Sequence, residues 1–367
     1  MIITRTPYRI SFFGGGTDYH TWYEVNGGDI LSTSINHYNY ISCRYLPPFH
    51  TEYRNRIAWK IMEYPQTVDQ IQHNAIRAAL KHYDVTRGVE ISNQCDLPAR
   101  SGLGSSSSFC AGLIAAIYAL KGEPITKYGL AKETIKLERE ILAENGGIQD
   151  QIAAVYGGLN HIHINNNGSF SVNPVVVSES RKTELNDNLM LFFTGVVRTS
   201  SEIAVKQEQS TKDKTAQLTR MQQMVGEAEK ILTDKSEDLN DFGRMLHETW
   251  MLKRSLTDKI STSLIDKIYR TAMDNGALGG KILGAGGGGF ILFYAKPEHQ
   301  KAIKKALRNL IYVPFKFDDQ GSQIIYYAPK DYDASVYEKR DFIHMLNGNS
   351  DVVMLNGNTN IGRGERE

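Results

Sequence analysis

Cysteine is scarce in this sequence. The 367 residues contain three cysteines, Cys43, Cys95 and Cys110, which are widely spaced and odd in number. Such a set neither frames a disulfide scaffold nor matches the spacing of a zinc site, and it is typical of a reducing compartment. We therefore predict a cytoplasmic protein whose cysteines are small core residues.

The sequence also lacks a long hydrophobic run and an excess of charge of either sign. Its most apolar segment, residues 109–120, is shorter than a membrane span, and its N-terminal residues show no secretory h-region. The formal net charge is +1, so no overall field attracts nucleic acid or an acidic membrane. We expect a monomer or homodimer that has neither nucleic acid nor a membrane as a partner.

Hydrophobic periodicity predicts an α+β chain with two sheets, each covered by helices. Strands are expected at residues 9–13, 39–46, 56–64, 88–95, 189–193, 281–295 and 312–327, and helices at 66–83, 106–121, 126–144, 298–309 and over most of 200–275. A hairpin is expected over 157–177 and a polar boundary over 178–187. These features predict an N-terminal domain at 1–185, a C-terminal domain at 186–344 and a polar, disordered or peripheral tail at 345–367.

The stretch LPARSGLGSSSSF, residues 97–109, places two spaced glycines and four consecutive serines at the start of an apolar helical segment. Glycines let the backbone approach a ligand closely, and the first turn of a helix offers unpaired N–H groups to an anion. Serine hydroxyls add donors for phosphate or an oxygen ligand for Mg²⁺. The segment predicts a phosphate-binding loop; the alternative is a serine-capped helix after a glycine turn.

Two other glycine-rich patterns do not fit their structural context. Residues 279–282 lack the first glycine and the final hydroxyl of a Walker A loop. The stretch GAGGGG at 284–289 satisfies G-x-G-x-x-G, but it leads into the strand-like FILFYA, whereas a dinucleotide-binding fingerprint opens a helix. The sequence therefore favours neither a P-loop nor a Rossmann domain.

PARSGLGSSSS resembles the nucleotide-binding motif of the GHMP kinases, a family that includes galactokinase, homoserine kinase, mevalonate kinase and phosphomevalonate kinase. TPYRISFFGGGTDY (6–19) and KILGAGGGGFILFY (281–294) resemble its N-terminal and C-terminal motifs, in the order of the family. The resemblance implies an N-terminal half like domain 2 of ribosomal protein S5, a ferredoxin-like C-terminal half, and an ATP-dependent kinase that uses Mg²⁺.

Three stretches resemble one branch of that family, the D-glycero-D-manno-heptose 7-phosphate kinases: GGGTDY, GGIQDQIAAVYGG (146–158) and TGVVRTSSEI (194–203). That branch phosphorylates the anomeric hydroxyl of the heptose phosphate to give the 1,7-bisphosphate. Galactokinases have Glu and His where this chain has Gly15 and Gly16, so plain galactokinase is disfavoured. The resemblance therefore implies a small-molecule sugar phosphate as the substrate.

The resemblance also implies roles for individual residues. Asp150, in GIQDQ, matches the catalytic aspartate that takes or orients the proton of the acceptor hydroxyl. Arg9 matches a basic residue that stabilises the nucleophilic oxygen and the transferring phosphoryl group. Without the motifs, Asp150 is expected to be a capping residue and Arg9 a surface charge. The implied nucleotide-binding residues are Pro98, Ser101, Gly102, Leu103, Gly104, Ser105, Ser106, Ser107 and Ser108.

Glu138 lies twelve residues before Asp150, the separation at which sugar kinases of this family place a Mg²⁺ carboxylate. With Ser106 it would supply two oxygen ligands, and nucleotide phosphates and water would complete the shell. Glu140 and Glu144 compete for this role, although residues two apart on a helix do not share a face. The alternative for each is a solvated helix carboxylate.

The acceptor is expected at the N-terminal motif, where Asp18 matches an aspartate that binds a ring hydroxyl. A substrate that already bears a phosphate needs a second anion site, and Arg198 is the candidate; the alternative is a capped polar helix start. The remaining implied site residues are Gly15, Gly16 and Thr17 around the sugar, and Gly286, Gly287 and Gly288 as the floor of the active site.

Three alternatives stay open. The same fold could phosphorylate another acceptor, such as fucose, galactose or mevalonate; it could be a non-catalytic sugar sensor; or it could be an ATP-dependent decarboxylase. The presence of Arg9, Glu138 and Asp150 together favours an enzyme over a sensor. The sugar-kinase form GGGTDY argues against an acidic isoprenoid precursor.

Overall fold

The computed structural model describes residues 1–47, 49–50, 53–196, 205, 208 and 212–332. Its strands are β1 (Ile2–Phe13), β2 (Gly28–Tyr45), β3 (Arg56–Ala58), β4 (Met62–Glu63), β5 (Val89–Cys95), β6 (Leu159–Ile164), β7 (Phe170–Pro174), β8 (Leu189–Phe193), β9 (Gly279–Ile282), β10 (Phe290–Tyr294), β11 (Ile311–Val313), β12 (Phe317–Asp318) and β13 (Gln323–Tyr327). Its helices are α1 (His20–Asn26), α2 (Asn74–His82), α3 (Ser105–Lys121), α4 (Lys127–Ile135), α5 (Gln149–Tyr156), α6 (Glu179–Asp187), α7 (Thr215–Thr233), α8 (Asn240–Arg254), α9 (Ser263–Asp274) and α10 (Pro297–Ala306). The predicted tail at 345–367 lies outside the described residues.

The strands form two sheets. The larger follows the order β13-β1-β2-β5-β3-β4, with β6 and β12 also paired to the long strand β2 and β7 paired to β6. The smaller follows the order β11-β8-β10-β9, and all its pairs are antiparallel. The first sheet is antiparallel apart from the β3–β5 pair.

The last two strands return to the first sheet. After β11 in the smaller sheet, β12 pairs with β2 and β13 pairs with β1, where Tyr327 lies opposite Ile2. The segment predicted as a C-terminal domain, 186–344, therefore supplies two strands to the sheet of the N-terminal half. A hydrophobic cluster with members from β1, α7, α8 and β10 joins the two halves, so the sheets share part of one core.

Helix α3 is the central helix of the N-terminal half. It is buried along most of its length, because its residues are apolar or small on every face. The Thr4 hydroxyl on β1 donates to the carbonyl of Gly112 at 3.0 Å, so helix and sheet lie in close contact. This packing fixes the N-terminus of α3, at Ser105, against the middle of β1.

The predicted phosphate loop lies against the part of β1 whose outer edge is not paired with another of the described strands. β13 covers the outer edge of β1 only as far as Arg5, and the register against β2 shifts at Pro7. Proline lacks an N–H and is tolerated where its edge is unpaired. Beyond it the N–H of Arg9 donates to the carbonyl of Leu103 at 3.0 Å. The phosphate loop thus takes the position that a further strand would occupy.

Several predicted elements differ from the structure. The polar boundary at 178–187 forms helix α6, because the Ser178 hydroxyl accepts a hydrogen bond from the N–H of Arg181 and caps it. The helix expected at 66–83 contains a 3₁₀ turn (Val68–Gln70) and then α2, and the expected strand at 56–64 is two short strands. Cys43 and Cys110 are buried as predicted, whereas Cys95 is exposed at the end of β5.

No helix in the described part of the chain combines the length and the apolar character that crossing a membrane requires.

Candidate active site

A cavity lies where the phosphate loop, the GGGTDY loop and the start of the C-terminal glycine-rich loop meet. It is bordered by elements of both halves, from β1 and α3 on one side to α8 and β9 on the other. Most residues assigned from the sequence motifs line this one cavity: Arg9, Gly15, Gly16, Asp18, Gly102, Gly104, Ser105, Ser106, Ser107, Glu138 and Asp150.

The phosphate loop ends in the helix that the sequence predicts. Gly104 is the N-cap of α3 and has a left-handed backbone, with φ of 74°. Gly102 has φ of 86° and packs so tightly against Leu283 that a Cβ there would lie 2.4 Å from the Leu283 carbonyl oxygen. The first turn of α3, Ser105–Ser107, therefore presents its N–H groups to the cavity.

Four residues of the predicted nucleotide-binding set do not line the cavity. Pro98 is exposed on the loop before it, whereas Ser101 and Leu103 are fully buried beneath the loop. The Ser108 hydroxyl points back to β1 and donates to the carbonyl of Pro7 at 2.7 Å. Of the four, Ser101, Leu103 and Ser108 therefore pack beneath the loop, away from the cavity.

Arg9 and Asp150 form a two-pronged ion pair inside the cavity. Arg9 Nε donates to Asp150 Oδ1 at 2.7 Å and Nη2 donates to Oδ2 at 2.8 Å, while Nη1 donates to the carbonyl of Gly102 at 2.8 Å. The Arg9 side chain is 3% exposed and that of Asp150 is 27% exposed, so the carboxylate is the partner that faces the cavity. Each carboxylate oxygen retains a lone pair for a ligand hydroxyl.

Asp18 lies beside this pair and is almost completely buried. Its Oδ1 accepts from the N–H of Gly16 at 3.0 Å and its Oδ2 accepts from the N–H of Gln149 at 3.3 Å. Burial raises the pKa of the Asp18 carboxyl, and the nearby Asp150 carboxylate raises it further. Gly147 packs against this side chain; a Cβ at that position would lie 1.8 Å from Asp18 Oδ2.

Glu138 is a buried residue of the cavity lining, on a π-helical turn (Lys136–Ile141) that follows α4. Its Oε2 accepts from the Ser107 hydroxyl at 2.7 Å and from the side-chain amide of Gln151. Its Oε1 is buried and has no hydrogen-bond partner among the described residues. A buried, unpartnered carboxylate oxygen of this kind fits a cation such as Mg²⁺.

The serine next to Glu138 is not the one predicted from the sequence. The Ser106 hydroxyl donates to Glu144 at 3.4 Å, whereas Ser107 contacts Glu138. Glu140 is exposed and is not among the cavity residues. The described ranges contain no group of three His, Cys, Asp or Glu side chains that could hold a metal ion. A cation beside Glu138 would therefore need further oxygen ligands from a bound phosphate or water.

Three further assignments require correction or remain outside the structure. Thr17 is buried, and its hydroxyl bonds the carbonyls of Gly14 and Asp29, so it shapes the GGGTDY loop from behind. The cavity is lined by Gly284 and Ala285; the predicted floor, Gly286, Gly287 and Gly288, packs instead against Ile260 and Val196. Arg198 lies outside the described residues.

Two lysines that the sequence reasoning missed also line the cavity, Lys253 at the end of α8 and Lys281 on β9. Burial lowers the pKa of both ammonium groups, to about 8 for Lys253. The sequence does contain a pattern that indicates burial of Lys253. This lysine shares a helical face with Phe242, Leu246 and Trp250, which are all buried. A charged residue on an apolar face is a candidate for a site.

The chemistry that this cavity can perform follows from its charges. The start of α3 has N–H groups and hydroxyls for an anion, and Glu138 beside Ser107 has a carboxylate for a cation. Against the N-cap, Gly104, lies a carboxylate paired with an arginine, and a second carboxyl group is buried near it. A positioned hydroxyl, charge neutralisation and little covalent participation by protein are what phosphoryl transfer requires. The fold and the cavity thus define the class, a small-molecule kinase.

Comparison with known proteins agrees with this class. Residues 70–158 match the GHMP kinases N terminal domain, and residues 228–313 match the GHMP kinases C terminal domain. The chain is 29% identical over 322 residues to the D-glycero-alpha-D-manno-heptose 7-phosphate kinase of Campylobacter jejuni, which covers 84% of this chain and 93% of that protein. The L-fucokinase/L-fucose-1-P guanylyltransferase of Bacteroides fragilis is 26% identical over 370 residues, which is 87% of this chain and 38% of that protein.

A similar solved structure is also that of a sugar phosphate kinase. The crystal structure of a D-glycero-D-manno-heptose 1-phosphate kinase from Bacteroides thetaiotaomicron is similar with a TM-score of 0.66 at 25% identity, covering 89% of this chain and all of that one. The chain contains the N-terminal and C-terminal domains of the GHMP kinases and has their mixed α+β fold, as the motifs predict. It is an ATP-dependent sugar kinase.

Proposed function

We propose that this kinase transfers the γ-phosphoryl group of ATP to the anomeric hydroxyl of D-glycero-D-manno-heptose 7-phosphate, which gives the 1,7-bisphosphate. The observation that carries the proposal is the placement of the Arg9–Asp150 pair in the same cavity as the first turn of α3. A hydroxyl bound at Asp150 and a phosphate bound at the helix start would then face each other.

The triphosphate of ATP binds against the backbone of Gly102–Ser107. Exposed N–H groups at the start of a helix and the positive end of its dipole attract phosphate oxygens without a lysine in the loop. The hydroxyls of Ser105 and Ser106 add donors at the same place. This arrangement differs from a Walker A loop, in which a lysine side chain reaches the terminal phosphates.

Glu138 and the neighbouring hydroxyls of Ser106 and Ser107 would hold Mg²⁺. The buried Oε1 of Glu138 supplies the negative ligand that lacks a partner among the described protein groups. When bound, Mg²⁺ would neutralise negative charge on the phosphate groups of the nucleotide. Ser107 orients the Glu138 carboxylate through the 2.7 Å hydrogen bond.

The acceptor sugar binds on the side of Asp18. The backbone at Gly15 and Gly16 allows the ring close to the loop, and the Asp18 carboxyl bonds a ring hydroxyl. Asp150 takes or orients the proton of the nucleophilic hydroxyl, while the Arg9 guanidinium stabilises the oxygen as its negative charge develops. Because Arg9 is held by both Asp150 and the Gly102 carbonyl, it needs little reorganisation during the reaction.

The names of the relatives support a phosphorylated heptose as the acceptor. The Campylobacter jejuni protein is described as a heptose 7-phosphate kinase and the Bacteroides thetaiotaomicron protein as a heptose 1-phosphate kinase. The two descriptions agree on the class of substrate and differ in the position of its phosphate. The match to a fucokinase supports a non-phosphorylated sugar as the second candidate.

A substrate panel tests the proposal directly. ADP release should be measured with heptose 7-phosphate, heptose 1-phosphate, unmodified heptose, fucose, galactose and mevalonate, with the Asp150→Asn variant as a control for contaminating kinases. We expect the highest kcat/KM with heptose 7-phosphate. Turnover only with non-phosphorylated acceptors would refute the proposal, and ATP binding without turnover of any acceptor would indicate a sensor.

A further inference from the structure

Two lysine side chains are buried in the wall of the active-site cavity. Lys253 is 7% exposed and Lys281 is 2% exposed. Lys253 Nζ donates to the carbonyls of Ile282, at 3.4 Å, and Gly284, and Lys281 Nζ donates to the carbonyl of Phe12 at 2.8 Å. Burial of an ammonium group is unfavourable unless a negative charge compensates it.

No carboxylate among the described residues compensates the charge of these two ammonium groups by direct contact. Neither lysine forms an ion pair with a carboxylate in the part of the chain that the structure describes. The two nearest carboxyl groups already have partners: Asp150 is bound by Arg9, and Asp18 accepts from two backbone N–H groups. An ammonium group has three N–H donors, so each lysine retains at least one for a ligand.

Both lysines lie near Asp18, the carboxyl group proposed to bind the acceptor sugar. Lys253 also donates to the carbonyl of Gly284, which packs against Gly102 in the phosphate loop. The carboxylates whose charge acts on Lys253 are Asp18 and Asp150, and Asp18 also acts on Lys281. Lys281 is also bonded to Phe12, which immediately precedes the turn into the GGGTDY loop.

We propose that Lys253 and Lys281 bind the phosphate group that the acceptor sugar already carries, and that this subsite makes the enzyme select phosphorylated over non-phosphorylated sugars. The inference rests on the proposed function, which supplies a phosphorylated acceptor. A phosphate dianion matches two neighbouring lysines better than a sugar hydroxyl does, because its negative charge favours the protonated form of both. The subsite also supplies the second anion site that the substrate requires.

The test compares Lys253→Met and Lys281→Met with the wild type. Methionine keeps much of the length of the lysine stem and removes its charge. The KM and kcat should be measured for heptose 7-phosphate, for unmodified heptose and for ATP. Lys267→Met, which makes the same change at an exposed position on α9, is the matched control.

Loss of a charged hydrogen bond should raise the KM for heptose 7-phosphate at least about tenfold in Lys253→Met. The ratio of kcat/KM between heptose 7-phosphate and heptose should fall by a similar factor, while the KM for ATP stays within about twofold. If the KM for ATP rises instead, the lysines serve the nucleotide and the inference is overturned. If no constant changes, it is overturned as well.

Lys253→Arg provides a second readout if the methionine variant does not fold. Arg9 on β1, Asp18 before α1, Asp150 on α5 and Lys281 on β9 are the charged groups that surround Lys253. The wild-type KM for heptose 7-phosphate should rise above pH 8 as Lys253 loses its proton, and the arginine variant should lack this rise. An equal rise in both would contradict the subsite. A wild type that rejects every sugar phosphate refutes the proposed function itself.

Discussion

The contact between the two glycine loops can be tested by Gly102→Ala. Gly102 has φ of 86°, and an added Cβ would lie 2.4 Å from the Leu283 carbonyl oxygen and 2.8 Å from its carbon. Both neighbours are backbone atoms, so no side chain can rotate away. The Gly102 carbonyl also accepts from Arg9 Nη1, so a shift of the loop displaces the Arg9 side chain and its proposed contacts with the substrate.

Gly122→Ala, at the other end of α3, is the matched control. Gly122 has φ of 74°, but no atom lies within 4 Å of the position of its Cβ. A left-handed backbone costs an alanine about 1–2 kcal/mol. Both variants include this cost, and Gly102→Ala adds an overpacking cost of about 1–3 kcal/mol. Gly102→Ala should therefore destabilise the protein by about 2–5 kcal/mol.

Thermal unfolding and steady-state kinetics measure these effects. We expect the Tm to fall by roughly 1–3 °C in Gly122→Ala and by roughly 3–6 °C in Gly102→Ala. Because a misplacement of about 1 Å costs about a hundredfold in rate, kcat/KM for ATP should fall by about that factor in Gly102→Ala alone. Equal Tm losses in the two variants, together with wild-type kinetics in Gly102→Ala, would refute this reasoning.

Three other predictions follow from the contacts described above. Glu138→Gln should raise the Mg²⁺ concentration for half-maximal activity by about tenfold or more, and an unchanged Mg²⁺ titration would contradict its role as a ligand. Asp150→Asn should lower kcat by at least about a hundredfold while calorimetry shows near-normal nucleotide binding; normal turnover would remove Asp150 from the mechanism. Hydrogen bonds to Asp29 and Glu229 raise the pKa of His161 in the folded protein. Protonated His161 therefore stabilises the folded state fully below its unfolded pKa of about 6.5. This contribution is lost as the pH rises through the folded pKa. His161→Gln should therefore weaken the decline of Tm above about pH 6.5, and superimposable profiles would disprove the link.

The phosphate loop could be predicted from the sequence because its signal is local. Two glycines and a run of serines before an apolar segment determine the start of α3 within one residue, at Ser105. Which serine meets Glu138 could not be predicted. Successive helical residues point about 100° apart, and four identical side chains leave the phase of the helix undetermined.

The environment of Glu138 depends on a local departure from the α-helix. The expected helix at 126–144 becomes π-helical at Lys136–Ile141, which changes the direction of every side chain after that turn. Spacing along the sequence identifies Glu138 as a candidate but does not reveal its contacts with Ser107 and Gln151. Those contacts join segments that are 31 and 13 residues apart in sequence.

Lys253 and Lys281 were missed for a different reason. Lys281 sits within a strand that is buried throughout, and Lys253 is on a helix with otherwise ordinary amphipathic character. Their common place in the cavity wall exists only when the two halves of the chain pack together. From the sequence alone each lysine is expected at the surface, because lysines are almost never fully buried.

The return of β13 to β1 has a consequence for how the protein forms during translation. Ile2 and Tyr327 are opposite one another in the first sheet, although almost the whole described chain separates them. A growing polypeptide therefore exposes one edge of β1 until residue 327 has emerged from the ribosome. Such unpaired edges invite aggregation, and contacts between distant residues slow folding. We therefore expect the nascent chain to remain prone to aggregation until β13 has been synthesised and has paired with β1.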